Sequence, residues 1–208
     1  MALNINSSFF KFWDKLIDLL FLNLIMLFCC IPVVTIGPAV TAAYAVLLKM
    51  VDDEEGYIYK SYFKYFKSNF KKGMIFGILF MAAVYALYIE WQIVTKMNDV
   101  NFILIVIAIF STTIVTAALL YVFPLTARYE NTIINTIKNS FHISVYFFGQ
   151  TIFILVIVVL EIALFMWNKW LMLAGILVGP MIVIYTIAAM GKKIFLKIEK
   201  DNPCPPAK

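Results

Sequence analysis

Long apolar runs separated by short polar segments dominate this chain. Five runs have about 20 residues, the length that a helix needs to cross a hydrocarbon core of about 30 Å. They cover residues 16–36, 73–94, 102–123, 147–167 and 171–190. The pattern predicts an all-α fold, a polytopic transmembrane helical bundle of about five spans that forms one integral membrane domain over residues 1–208.

Composition supports lipid as part of the solvent. The chain of 208 residues is 63% hydrophobic and 14% charged, whereas a soluble domain is roughly half apolar and about a quarter charged. A soluble fold of this size has too much surface to hide so many apolar side chains. The first apolar run lacks the basic start and cleavage site of a signal peptide, so we expect it to be retained.

The first span ends in the segment Ile31–Ala39, which reads IPVVTIGPA. Pro32 and Pro38 each remove a backbone donor and Gly37 tolerates unusual dihedrals, so a kink or break is predicted. Such a break survives in a membrane where protein or a water-filled cavity satisfies its polar groups, and transporters can place binding sites there. Pro32, Thr35, Gly37 and Pro38 are therefore candidate functional residues. The alternative is a helix end followed by a second helix.

Positive charge predicts the orientation in the membrane. Six lysines lie in residues 49–72, five lie from residue 191 onward, and Arg128 and Lys138 lie between the third and fourth spans. By the positive-inside rule these segments are cytoplasmic, including a basic tail over residues 191–208. Five spans place the N-terminus outside, whereas a re-entrant hairpin at the proline-rich segment would place it inside.

A direct internal repeat is visible in the order of motifs. Residues 38–44 and 124–129 both begin with proline and end with tyrosine after small residues. Each is followed by an amphipathic stretch, residues 57–72 and 131–146, and then by another span. Parallel repeats occur in some transporters, but duplication also occurs in proteins that transport nothing.

The first amphipathic stretch carries lysines beside aromatic residues at helical spacing. This arrangement is typical of a helix in the inner interface, with rings in lipid and ammonium groups at phosphates. The candidate contact residues are Lys60, Phe63, Lys64, Phe66, Lys67, Phe70 and Lys71. We expect an anionic inner leaflet as partner, with a cytoplasmic protein as the alternative to simple anchoring. Nucleic acid is not needed to explain the pattern.

Two polar residues inside spans are further candidates. Glu161 lies within the fourth span, where a charged carboxylate costs roughly 2.5–3.5 kcal/mol on insertion scales. We expect a helix–helix contact or a neutral acid there, with a proton or substrate role as the alternative. Asn23 in the first span could form a hydrogen bond across helices.

Enzymatic chemistry finds little support in the sequence. The one histidine, His142, has no nearby pattern of a nucleophile and a base. Cys29 and Cys30 are adjacent and lack metal-ligand spacing. We therefore expect no catalytic residues, no metal and no cofactor, and we interpret His142 as an interfacial residue.

The chain resembles the YesL-like family of small bacterial membrane proteins. The resemblance rests on residues 22–24, residues 31–39 with the following Ala42-Ala43-Tyr44, and residues 62–70. It implies a bacterial cytoplasmic membrane protein with five spans and unknown biochemistry. Genes of the family often lie near carbohydrate uptake genes, which implies a link with sugar import. The family supplies no binding residues to transfer.

These observations favour a non-catalytic membrane protein, accessory or regulatory to carbohydrate uptake, with a sugar transporter component as its partner. The alternative is a small transporter or channel with a site near the proline-rich break. An intramembrane enzyme is the least favoured class.

Overall fold

A computed structural model describes residues 8–52, 56–96 and 102–201, and every regular element in these ranges is helical. The helices are α1 (Ser8–Cys29), α2 (Ile36–Met50), α3 (Ile58–Ser68), α4 (Phe70–Lys96), α5 (Phe102–Arg128), α6 (Ile133–Tyr146), α7 (Phe148–Met166) and α8 (Lys169–Asp201), with a 3-10 turn at Val33–Thr35. The all-α fold class is therefore confirmed.

Five helical segments of the described ranges are long and apolar enough to cross a membrane, which indicates a membrane protein. They are Val33–Met50, Phe70–Lys96, Phe102–Arg128, Phe148–Met166 and Gly175–Lys200. The second, third and fourth contain or closely match the predicted spans, and the fifth overlaps the predicted span 171–190, which lies within α8. Predicted orientation is a separate matter, because length and apolarity alone do not say which end faces the cytoplasm.

The first predicted span, residues 16–36, is wrong in its bounds. α1 ends at Cys29, and the first segment of span length runs instead over Val33–Met50. The physical reason is the predicted break: Pro32 precedes the 3-10 turn, and Pro38 lies in the first turn of α2, where a missing N–H costs nothing. The predicted basic tail begins as helix, because α8 continues through Asp201.

Helix α2 is the centre of the bundle. It packs against α3, α4, α5 and α8, and twelve of its fifteen residues are buried. Its buried face includes Ala39, Ala42 and Ala43, each fully buried. These small side chains let neighbouring helices approach closely, which is how helices associate in lipid, where the hydrophobic effect gives little drive.

Two antiparallel hairpins extend from this centre, α4 with α5 and α7 with α8. In the first hairpin, the ring of Phe80 meets that of Phe123, and Trp91 donates a 3.0 Å hydrogen bond to the Thr112 hydroxyl. In the second, Phe165 lies against Gly175. Large apolar residues remain exposed along both hairpins, as expected for surfaces that face lipid.

The order of elements follows the predicted repeat. α2, α3 and α4 form one unit, and α5, α6 and α7 form the next. In each unit the amphipathic helix packs against the helix before it and continues into the following span after a single non-helical residue. That residue is Asn69 in the first unit, with φ −99° and ψ 9°, and Phe147 in the second, with φ −102° and ψ 37°.

Candidate functional site

The side chain of Thr35 forms hydrogen bonds to backbone carbonyls within the proline-rich break. The hydroxyl of Thr35 lies 2.6 Å from the carbonyl oxygens of both Cys29 and Pro32. The Cys29 carbonyl stands at the end of α1, where helical donors run out, whereas the Pro32 carbonyl also accepts the backbone N–H of Thr35 at 2.9 Å. Thr35 is therefore a local cap that satisfies the break, and Pro32 lies exposed at the turn.

Beyond the turn, Gly37 and Pro38 form a close helix crossing. Both are buried, and they lie against Gly73 and Gly77 of α4. A Cβ built on Gly37 would lie 2.8 Å from the Gly77 nitrogen and would overlap the Gly73 carbonyl, so a larger residue cannot fit without a shift of the backbone. This geometry makes the segment a packing joint between α2 and α4, and the spacing Gly73-x-x-x-Gly77 could have indicated it from sequence.

Asn23 also has a structural partner. This fully buried residue of α1 donates from Nδ2 to the carbonyl oxygen of Leu177 at 2.6 Å and lies 3.4 Å from that of Ile176. Pro180 lies inside α8 and has no N–H, so the carbonyl four residues before it, that of Ile176, loses its helical donor. Asn23 thus supplies a donor where Pro180 removes one, which confirms the expected bond across helices.

Glu161 makes a second contact between helices. The Thr186 hydroxyl of α8 donates a 2.6 Å hydrogen bond to its Oε1. Its Oε2 is buried and has no hydrogen-bond partner among the described residues. The first hairpin shows a similar pair, because the hydroxyl of Ser111 donates to the carboxylate of Glu90 at 2.7–2.8 Å. A carboxylate held by a hydroxyl of the next helix therefore occurs in each hairpin.

The candidates do not converge on one site. Asn23 bonds to α8 at Leu177, and Glu161 bonds to α8 at Thr186, nine residues later. Nine residues of helix correspond to about 13 Å along the axis and to opposite faces. The proline-rich segment contacts α4 instead. Each of these groups therefore serves its own joint between helices.

The lysines of α3 differ from these groups, because their side chains are exposed. Lys60, Lys64 and Lys67 are exposed along one face of α3, and Lys71 is exposed in the first turn of α4. We call these four residues the lysine stripe. No acidic residue occurs between positions 56 and 89 of the sequence, and Asp18 of α1 lies near residues 56–59 at the start of α3. Like charges one helical turn apart repel by a few tenths of a kcal/mol each.

The aromatic residues beside the lysine stripe divide into two groups. Phe63 is 39% exposed, whereas Phe66 packs against the core and Phe70 is half-buried. The face of α3 that holds it to α2 is formed by Ile58 and the fully buried Tyr62, whose hydroxyl donates to the Ala39 carbonyl at 3.3 Å. Of the rings that were predicted to face lipid, Phe63 is exposed, whereas Phe66 and Phe70 are partly buried.

Two ion pairs, both partly exposed, hold the last helix against its neighbours. Arg128 donates from Nε and a terminal nitrogen to the two carboxylate oxygens of Glu199, at 2.8 and 3.0 Å, and the Tyr129 hydroxyl donates to the same carboxylate. The buried Lys192 pairs with Asp52, which follows α2. Burial raises the pKa of Tyr129, and the adjacent carboxylate adds to this effect. These contacts join α8 to α5 and to the end of α2.

Comparison with known proteins is informative for part of the chain. The sequence model of a family described as "Protein of unknown function, DUF624" matches residues 19–91, about a third of the chain. No curated protein and no solved structure matches the chain. The matched part contains the break, the glycine crossing and the lysine stripe. Over this part the chain is similar to a family of unknown function, while the finer YesL-like assignment stays a prediction.

Proposed function

We propose that this chain is a non-catalytic integral membrane protein that acts as an accessory or regulatory subunit and contacts its partner through the lysine stripe. The observation that carries this proposal is the presence of four exposed lysines along one surface without an acidic neighbour in the same stretch. Such a surface attracts anionic phosphates or an acidic protein surface.

The link to carbohydrate uptake comes from the YesL-like resemblance alone. It names a class of partner, a component of a sugar transporter in the bacterial cytoplasmic membrane. Placing the lysine stripe on the cytoplasmic side follows from the positive-inside rule. Asn23, Glu161 and Gly37 each form a separate contact between helices. This distribution favours a structural role in which the bundle presents a fixed surface to a partner.

Mild crosslinking in native membranes, followed by affinity purification and mass spectrometry, tests the proposal. One variant changes Lys60, Lys64, Lys67 and Lys71 to Gln. A matched control changes the exposed lysines 138, 193, 197 and 200 to Gln, which removes the same charge elsewhere. We expect a specific partner to be lost in the first variant and kept in the control. Equal recovery in both variants, or no specific partner, contradicts the proposal.

Transport is a second candidate function, and one observation favours it. The Oε2 atom of Glu161 is buried without a hydrogen-bond partner among the described residues, and a polar atom in that state is a place where a proton or ligand could bind. Flux into vesicles containing the purified protein should then fail in Glu161→Ala and persist in Thr186→Val. Absence of flux in the unchanged protein would exclude this function for the solutes assayed.

A further inference from the structure

A cavity of about 430 Å³ lies where α5, α6 and α8 meet. It is distinct from the lysine stripe and shares no residue with it. One wall is formed by the end of α5 and the loop after it, a second by α6, and a third by the end of α8. Its volume is within the range of small-molecule sites, about 300–1,000 Å³.

The charge within this cavity is already balanced. Glu199 is the acidic residue of the lining, and both of its carboxylate oxygens accept hydrogen bonds from Arg128. No lysine or arginine is part of the lining. A phosphate group would therefore find no cation among the lining residues, and the ammonium group nearest to a lining ring is that of Lys197, 5.6 Å from the centre of the Phe147 ring. A cationic ligand would compete with an arginine that already binds in a bidentate manner.

The remaining polar groups of the lining can both donate and accept hydrogen bonds. They are the side chains of Asn131, Asn139 and His142 and the hydroxyl of Tyr146. Asn139 and His142 are exposed on one flank of α6, and neither side chain has a hydrogen-bond partner among the described residues. These groups are free to bind a ligand.

Aromatic rings complete the lining. Tyr129 meets Phe195 edge to face with ring centres 6.0 Å apart, and Tyr146 meets Phe147 at 4.9 Å. Flat apolar rings beside neutral groups that donate and accept suit a cyclic molecule that has an apolar face and a polar edge.

We propose that this cavity binds a neutral cyclic molecule of one or two rings that carries several hydroxyl or amide groups. A glycoside and a nucleoside share this chemistry. We expect their anionic derivatives to bind more weakly, because the lining residues include a carboxylate and no lysine or arginine.

The test measures binding of maltose and of adenosine to the full chain in lipid nanodiscs, since glycosidic detergents would occupy the cavity. Saturation-transfer NMR or calorimetry detects the complex, and glucose 6-phosphate and AMP serve as charged probes. We expect one neutral probe to bind, at least tenfold more tightly than the charged probes. Maltose alone identifies a glycoside site and adenosine alone a nucleoside site.

Variants locate the binding. Asn139→Ala combined with His142→Ala should weaken it at least tenfold, whereas Asn135→Ala on the same helix, outside the lining, should leave it unchanged. His142→Gln keeps a hydrogen-bonding group and should retain part of the affinity, which separates loss of contact from loss of fold. The proposal is overturned if neither neutral probe binds, if charged probes bind more tightly, or if the Asn139 and His142 variant binds normally.

Discussion

The side-chain amide of Asn23 replaces a backbone donor that Pro180 removes from another helix. Asn23 lies in α1 and Pro180 in α8, and the carbonyls of Ile176 and Leu177 stand between them. A carbonyl group without a donor is costly inside a bundle, where water cannot replace the missing partner. The relation makes α1 part of the same structural unit as α8, although about 150 residues separate them.

A double-mutant cycle tests this relation. Asn23→Ala should lower the free energy of unfolding by roughly 1 kcal/mol, since a buried carbonyl loses its donor. In a Pro180→Ala background the same change should cost less, because the alanine N–H can bond to the Ile176 carbonyl. Thermal unfolding in detergent measures all four proteins. Equal costs in the two backgrounds would show that the amide and the proline are not coupled.

The crossing of α2 and α4 predicts a strong dependence on glycine. Gly37→Ala should destabilise the protein by about 1–3 kcal/mol or more, because the added carbon meets the α4 backbone, which cannot move without repacking. Gly149→Ala is the matched control, since a Cβ there meets nothing within 4 Å. The control should be neutral or stabilising by up to about 1 kcal/mol. Similar losses in both variants would argue against the close crossing.

The ion pair between Arg128 and Glu199 should contribute to the attachment of α8. Glu199→Gln should lower stability by about 1–3 kcal/mol, because a largely buried guanidinium loses its charged partner. Arg128→Lys should also be destabilising, since an ammonium group cannot form the two parallel bonds. Glu130→Gln, an exposed neighbour, serves as control. Unfolding midpoints in urea at constant salt compare these variants.

Alkaline pH should destabilise the protein in part through Tyr62. Burial raises the pKa of its hydroxyl, and the nearby Cys29 thiol adds to the shift. The folded state therefore holds this proton more tightly than the unfolded chain, whose tyrosines titrate near about 10. The stabilisation is present below that pH and is lost as the pH rises toward the pKa of the folded state.

Melting temperatures measured between pH 8 and pH 11 test this titration. The decrease with pH should be smaller in Tyr62→Phe than in the unchanged protein. Tyr59→Phe, which alters an exposed ring on the same helix, should follow the unchanged protein. A pH dependence that is identical in all three proteins would contradict a role for Tyr62.

Local features of the sequence predicted much of the fold. Apolar length predicted four of the five spans, because each of those helices must cover the same thickness of lipid. Pro32 and Pro38 predicted the break, since the loss of a backbone donor acts locally. The bounds of the first span were missed because apolarity continues on both sides of the break, and composition alone cannot say which side forms the longer helix.

The roles of the polar candidates depended on distant residues. Asn23 was expected to bond across helices, but its partners near Pro180 follow only from the packing of α1 on α8. Glu161 likewise has a partner, Thr186, that no local motif indicates. The cavity beside His142 was missed entirely, because it requires three helices to meet and none of them carries a recognisable binding motif.

The single non-helical residues Asn69 and Phe147 couple the orientation of each amphipathic helix to that of the span that follows it. With one non-helical residue at the joint, the direction of α3 constrains the direction in which α4 starts, and α6 constrains α7 in the same way. The two amphipathic helices differ in charge, since α3 carries three exposed lysines of the stripe and α6 carries one lysine, Lys138. If α3 lies on an anionic membrane surface, as its lysines predict, a change in the charge of that surface should act on the first hairpin more strongly than on the second.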